Sequence, residues 1–312
     1  MTSSLDTPLR IATRSSPLAL WQAEWVLARL RAAGLEAMLL PFETQGDKIL
    51  DRTLSKIGSK GVFTQELEDS LLDGRAHLAV HSAKDMPSRL PEGLQIVCFT
   101  EREQADDVVV SYNPAFSLDA GPCTVGTSST RRKALLARYY PHARQAEARG
   151  NLQTRLRKLA EGQFDALLLA YAGIHRIGQA ALVRQHLPLH VFTPPVGQGA
   201  LAIEVADALP AELRGRLRQA LAHPPTEACL AAERAYLATM DGGCSIPTFG
   251  HAIWAQGQIR LEAGIISLDG SQEVRHLQAS PPAEAEALGR QMALAVLEAG
   301  GRQILQDIRA NA

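Results

Sequence analysis

The sequence predicts an α/β protein: two α/β domains with two chain crossings between them, followed by a smaller α+β domain. Three observations carry that expectation. At 312 residues the chain exceeds what one ordinary hydrophobic core organises. Short apolar runs bounded by glycine or proline alternate with amphipathic stretches of helical period, and the same strand, polar turn and helix unit recurs after residue 120. From Pro224-Pro225 the pattern changes to one long alanine-rich helix followed by alternating strands.

Leu9 to Thr13 reads as the first strand, ending at Arg14-Ser15-Ser16. Pro17 opens a helix that runs through Arg31 and stops at Gly34, with Leu18, Trp21 and Trp25 on one face. Ser15 or Ser16 is the natural N-cap, so Arg14 and a serine hydroxyl flank a helix N-terminus where an anion can bind. Leu35 to Phe42 is a second strand. The segment Gln45 to Gly61 is long, glycine-bearing and holds three of the chain's six lysines, which suits a cover over a charged ligand. A helix from Thr64 to Leu72 then leads into the strand Leu78-Ala79-Val80 and the loop Ser82-Ala83-Lys84-Asp85, held open by Pro87. This order begins a parallel sheet, whose ligands bind beyond the carboxyl ends of the strands. Lys84 and Asp85 lie there.

Leu94 to Phe99 is followed by E-R-E-Q-A-D-D-V-V-V-S, which marks a crossing near residue 101 into the second domain. There Cys123-Thr124-Val125 runs into Gly126-Thr127-Ser128-Ser129-Thr130-Arg131-Arg132 and a helix to about Arg138. Glycine, hydroxyls and two arginines at a strand-to-helix turn make an anion site, but the signature of a nucleotide-binding loop is missing. Arg149-Gly150-Asn151 precedes a helix carrying Arg155, and the strand Phe164 to Ala170 ends at Tyr171, with Arg176 one turn on. Each arginine lies at the end of an element, which points to one ligand rather than to a solvated face. Pro194-Pro195-Val196-Gly197-Gln198-Gly199 is a rigid turn returning the chain through the strand Ala200 to Val205. Helix Thr226 to Met240 ends in Asp241-Gly242-Gly243-Cys244, an exposed turn suited to a reactive thiol. Strands at Thr248–Ala255, Gln258–Ser267 and Glu273–Gln278 and a helix from Ala283 to about Glu298 complete the chain. The expected domains are 1–101 with 200–220, then 102–199, then 221–312.

Composition narrows the function. A net charge of −1 gives no global field toward nucleic acid or a membrane, and no stretch is long enough to span a bilayer. Yet 26 arginines stand against six lysines, and arginine forks grip carboxylates and phosphates in a bidentate way. The four cysteines lack C-x-x-C spacing and the nine histidines lack metal-ligand spacing, so neither a disulfide framework nor a metal site is expected. Cys98 and Cys229 read as buried small hydrophobes. The N-terminus has no charged region followed by an apolar run, which suits a cytoplasmic location.

Seven segments, R-I-A-T-R-S-S-P-L-A-L-W-Q-A, S-K-I-G-S-K-G-V-F-T-Q-E-L-E, H-S-A-K-D-M-P, G-T-S-S-T-R-R, R-G-N-L-Q-T-R-L, P-P-V-G-Q-G-A-L and D-G-G-C, occur in the order seen in the porphobilinogen deaminase family. The chain resembles that family from about Leu9 to the C-terminal helix. Gln45, Thr130 and Ala148 depart from its pattern, standing where arginine, leucine and leucine are common. The resemblance implies two periplasmic-binding-protein-like α/β domains joined by a two-segment hinge, plus a small α+β C-terminal domain. It implies a monomeric transferase of haem and other tetrapyrrole biosynthesis, joining four porphobilinogen molecules into hydroxymethylbilane with loss of ammonia. Such enzymes are primed on a dipyrromethane cofactor bound through a cysteine thioether, and need no metal.

By motif, the resemblance makes Asp85 the catalytic carboxylate and Cys244 the attachment point. It gives Ser82, Lys84, Thr127, Ser128, Ser129, Arg131, Arg132 and Arg155 to the cofactor carboxylates. Arg14, Ser16, Arg149, Arg155, Arg176 and Gln198 go to the substrate and the growing chain, and Lys56, Lys60 and Phe63 to the lid. The chemistry is apt: a carboxylate stabilises the cationic azafulvene left when ammonia departs, and guanidinium groups hold the acetate and propionate arms. Two other readings fit the residues, a two-lobed periplasmic ligand-binding protein and a transferase acting on phosphates.

Overall fold

The computed structural model describes residues 7–44, 64–241 and 246–310. The chain forms two compact units, Met1–Arg102 with Ala200–Glu227, and Glu103–Gly199 with Ala228–Ala312.

The first unit begins with β1 (Leu9–Arg14), α1 (Pro17–Ala32), β2 (Ala37–Phe42), α2 (Gln65–Leu72) and β3 (Leu78–Ser82). A 3₁₀ turn at Ala83–Asp85 follows, then β4 (Leu94–Phe99). In the second unit come β5 (Asp107–Val110), β6 (Cys123–Gly126), α3 (Thr130–Tyr139), β7 (Ala143–Ala146), α4 (Leu152–Ala160), β8 (Ala166–Ala170), α5 (Tyr171–Arg176) and β9 (Val183–His186). The chain returns to the first unit as β10 (Leu201–Ala206) and α6 (Ala211–Leu221). After α7 (Pro224–Met240), β11 (Thr248–Ala255), β12 (Gln258–Ile266) and β13 (Glu273–Ser280) form an antiparallel sheet. It is covered by α8 (Ala285–Val296), which bends at Gly300 (φ +114°) into α9 (Arg302–Ala310).

The first sheet has the order β2-β1-β3-β10-β4 and the second β7-β6-β8-β5-β9. In the first, β1 is parallel to β2 and β3; in the second, β6 is parallel to β7 and β8. The parallel start read from the sequence holds for β1, β2 and β3, and the strands that follow the crossings depart from it. β10 runs antiparallel to β3 and β4, and β5 runs antiparallel to β8 and β9. Each antiparallel strand is the one formed directly after a crossing. Both are apolar runs buried on two faces, and such runs carry no mark of direction.

Alternation sorts the first sheet into two faces. Leu9, Ile11, Leu78, Val80, Leu201 and Ile203 pack against Ala23, Val26 and Leu30 of α1 and Leu213 and Leu217 of α6. Ala12 and Ala79 face Leu67 and Leu71 of α2. The buried stripe of α1 is Ala19, Gln22, Ala23, Val26 and Leu30. It is rotated away from the expected Leu18-Trp21-Trp25 line because the alanines admit a closer approach to the sheet, while the Arg29 guanidinium stacks 4.0 Å above the Trp25 ring. Cys98 and Cys229 are buried, and burial pushes the Cys98 thiol up to about 12.

Candidate active site

In the first unit the polar residues gather where β1 and β3 end. Arg14 closes β1 half-buried, and Ser16 takes the N-cap of α1 with extended backbone (φ −68°, ψ 145°). Its hydroxyl makes no capping hydrogen bond, unlike the cap expected from sequence. At the end of β3, Ser82 is half-buried and accepts a hydrogen bond of 3.0 Å from the Gln22 amide of α1. Lys84 is half-buried and Asp85 exposed on the 3₁₀ turn. Met86 is extended (ψ 135°), as a residue before proline must be, and this ends the turn at Asp85.

The reverse face of the same strand end is acidic and dry. His81 Nε2 lies 3.0 Å from Glu204 Oε2 of β10, and their side chains are 4% and 0% exposed. Glu68 of α2, only 3% exposed, feels both charges. Burial pushes its carboxyl above the usual range, the Glu204 charge adds to this, and a hydrogen bond from Thr64 and the His81 charge oppose it. None of these three was singled out from the sequence; the signal was a histidine inside an otherwise apolar strand.

In the second unit the site begins at Gly126. A Cβ there would meet Leu167 at 2.7 Å and Phe164 at 2.9 Å, so only glycine lets β6 turn so close to β8. The buried Thr127 Oγ1 accepts from the Ser129 amide at 3.3 Å, and Ser129 caps α3 by accepting from the Arg132 amide at 3.4 Å. Ser128 sits half-buried between them.

The two arginines behind this turn converge on Asp107, the first residue of β5, which is fully buried. Arg131 reaches Oδ2 at 2.6 Å, and Arg132 donates to Oδ1 through Nε at 3.1 Å and Nη2 at 2.7 Å. Their remaining hydrogen bonds go to the Thr193 carbonyl (2.9 Å) and the Leu168 carbonyl (3.1 Å). Gln198 donates to Asp107 at 3.0 Å and to the Ala105 carbonyl at 2.6 Å. Burial alone would raise the Asp107 carboxyl, but the two guanidinium groups and Gln198 outweigh it and hold the acid far below the usual range. In sequence the Asp106-Asp107 pair marks only a domain crossing. The sequence could not show that its second member lies under two arginines some 25 residues away.

The other predicted arginines of the second unit are each held by a nearby backbone carbonyl or acid. Arg176, 8% exposed at the end of α5, donates at 2.6 Å to the carbonyl of Gly199, whose φ of +93° turns that carbonyl inward. Burial pushes its guanidinium down to about 10, with the Glu103 charge pulling it back up, so it remains charged at neutral pH. Asn151 caps α4 by accepting from Thr154 at 2.9 Å, and Arg155 donates to the Gly150 carbonyl at 2.8 Å. The half-buried Arg149 lies 3.2 Å from Glu147. The turn before Gly199 is tied down by the buried Glu233 of α7, which accepts from the Gly197 amide at 2.8 Å. Lys56, Lys60, Phe63 and Cys244 lie outside the described residues.

Arg131 and Arg132 share one carboxylate, which leaves this buried cluster one positive charge in excess. Arg131 Nε has no hydrogen-bond partner among the described residues. A hydroxyl-lined turn backed by surplus guanidinium charge fits a ligand carrying carboxylate arms, and fits it better than an apolar one.

The chain is thus an α/β protein whose second unit backs a hydroxyl-lined turn with two buried arginines and whose first unit carries Asp85 on an exposed turn. The chain belongs to the porphobilinogen deaminase family. Residues 9–211 match the family's dipyrromethane cofactor-binding domain and residues 227–298 its C-terminal domain. The porphobilinogen deaminase of Cytophaga hutchinsonii is 48% identical over 306 residues, covering 98% of this chain and 98% of that protein. That of Desulfosudis oleivorans is 46% identical over 303 residues, covering 96% and 98%. Among solved structures, the Bordetella pertussis BvgS VFT2 domain has a TM-score of 0.42 at 18% identity, over 68% of this chain and 85% of that one.

Proposed function

We propose that the chain condenses four porphobilinogen molecules head to tail, losing ammonia at each step, and releases hydroxymethylbilane with water. It does so as a transferase of tetrapyrrole biosynthesis, monomeric and cytoplasmic, primed on a dipyrromethane held by a thioether to Cys244. The observation that carries this reading is the surplus guanidinium charge behind the Thr127–Ser129 turn, in a chain that matches the family along nearly its whole length.

When bound, the dipyrromethane supplies the nucleophilic pyrrole carbon to which the first substrate is added. Thr127, Ser128, Ser129, Arg131 and Arg132, with Ser82, Lys84 and Arg155, would hold its acetate and propionate arms. Arg14, Ser16, Arg149, Arg155, Arg176 and Gln198 would orient the incoming ring and the growing chain. Porphobilinogen gives up ammonia, leaving positive charge shared between its exocyclic carbon and its ring nitrogen. Asp85, exposed on a turn held by Ala83 and Pro87, can set a carboxylate against that charge, which is worth most where water is excluded. The same carboxylate can take up the proton that the attacking ring carbon loses once the new carbon–carbon bond forms. Positioning by the arginines supplies much of the remaining rate.

The test is the intact mass of purified protein together with its consumption of porphobilinogen. A mass two pyrrole units above the sequence, lost in Cys244→Ser, is expected. An unmodified mass in active protein, or no consumption of porphobilinogen by protein carrying the two units, would overturn the reading.

A further inference from the structure

The first unit carries a buried ionisable cluster that the reaction, as described, does not use. Glu204 lies opposite Ala79 in the ladder and Ala202 opposite His81, so Glu204 and His81 are diagonal neighbours on the α2 face of the sheet. Glu68 comes to the same face from α2. His81 Nε2, both Glu204 carboxylate oxygens and Glu68 Oε1 are buried without a hydrogen bond of good geometry among the described residues. Groups in that state cost stability, and apolar residues of like size would serve the fold as well or better. The cluster sits one residue before Ser82, whose side chain points to the opposite, α1 face, and four residues before Asp85.

We propose that the His81–Glu204 contact, with Glu68 beside it, is a positioning device that fixes the end of β3 and with it the placement of Ser82 and Asp85. His81 and Glu204 act through the turn and touch no substrate. An ion-pair distance across two strands holds one rotamer and one strand height, whereas apolar packing tolerates sliding. The groups facing the contact are Glu68 and Thr64 of the α2 end, with Asp69 of α2 adding a weaker repulsion to Glu68. The proposal rests on the porphobilinogen activity above.

The experiment measures steady-state kcat and KM for porphobilinogen, thermal midpoint and intact mass in Glu204→Leu, Glu204→Gln and His81→Asn. Displacing a reacting group by about 1 Å costs up to roughly a hundredfold, so kcat of Glu204→Leu should fall by about tenfold or more. KM, set by arginines elsewhere, should stay within about twofold. The midpoint falls with the loss of one partner of a buried contact, but kcat per folded molecule falls with it, and both pyrrole units should remain attached. Glu204→Gln keeps an acceptor for the imidazole and should recover most of kcat. A merely structural contact would lower the midpoint alone and leave kcat per folded molecule unchanged. That result, or full kcat in Glu204→Leu, overturns the proposal. Should Glu204→Leu fail to fold, His81→Asn decides by the same kcat per folded molecule. Wild-type protein unable to consume porphobilinogen would instead sink the activity reading itself.

Discussion

Substituting Asp107→Asn tests the charge arrangement behind the hydroxyl turn. The side chain keeps its shape, and the amide oxygen can still accept from Gln198 or one arginine. What is lost is the carboxylate that Arg131 and Arg132 share, each arginine being less than 10% exposed. Removing one partner of a buried pair costs about 3–5 kcal/mol, because the remaining charge stays desolvated. Here two like charges remain together, so the upper part of that range is expected. For a unit of this size that corresponds to a fall in thermal midpoint of roughly 10 °C or more. The sign with pH follows from the lowered carboxyl: its stabilisation is complete above the ordinary carboxylate range and is lost as pH falls toward the folded value. The gap between wild type and Asp107→Asn should thus be widest near neutrality and narrow below about pH 4. A polycarboxylate such as citrate should raise the variant's midpoint more than the wild type's, since an anion that binds only the folded state stabilises by mass action. A loss under about 1 kcal/mol at pH 7, with no narrowing on acidification, would refute the reasoning, for it would mean the arginines are not held by this carboxylate.

Asp85→Asn should retain both pyrrole units by mass yet lose roughly a hundredfold or more in porphobilinogen consumption, because an amide cannot balance a developing cation; near-normal turnover would assign that work elsewhere. Arg149→Leu removes a half-buried guanidinium that pairs with the exposed Glu147. Its midpoint should move little, about 1 kcal/mol or less in stability, while mass spectra show shorter pyrrole chains accumulating; global unfolding would mark a structural residue instead. For Glu68, burial raises the folded carboxyl, so its contribution is present at low pH and lost as pH rises through that raised value. Glu68→Gln should therefore gain on wild type in thermal midpoint as pH climbs from 4 toward 8, and parallel curves would show that the carboxyl is not desolvated.

Much of this was legible in the sequence because the signals are local. Gly34 (φ +73°) ends α1 two residues past its last helical residue, and Thr248–Ala255 forms as its alternation requires. The Ser129 and Asn151 caps place the hydroxyl turn and Arg155 without tertiary information. What escaped was long-range. The direction of β5 and β10 depends on pairing partners far away in the chain. The helix after residue 300 continues through a glycine bend that reads as a stop. Asp107, His81, Glu204 and Glu68 acquire meaning only from what lies across the sheet, since an acid in a short apolar strand looks alike whether it is exposed at an end or buried under a base.

The two sheets make that last point general for this chain. β3 and β8 are the central strands of their sheets, each flanked by a parallel strand and by the antiparallel strand that follows a crossing. In both units the crossing strand carries a carboxylate that is 0% exposed, Glu204 on β10 and Asp107 on β5. Glu204 lies opposite Ala79, the second residue of β3, and Asp107 opposite Ala170, the last residue of β8. Each acid engages a basic side chain next to a predicted ligand-binding turn, His81 before Ser82–Asp85 and Arg131 with Arg132 behind Thr127–Ser129. A buried carboxylate on that strand is costly unless a base meets it, so the pair fixes both the strand's register and the height of the turn beyond it. The same topological position thus sets the carboxylate turn in one unit and the guanidinium turn in the other.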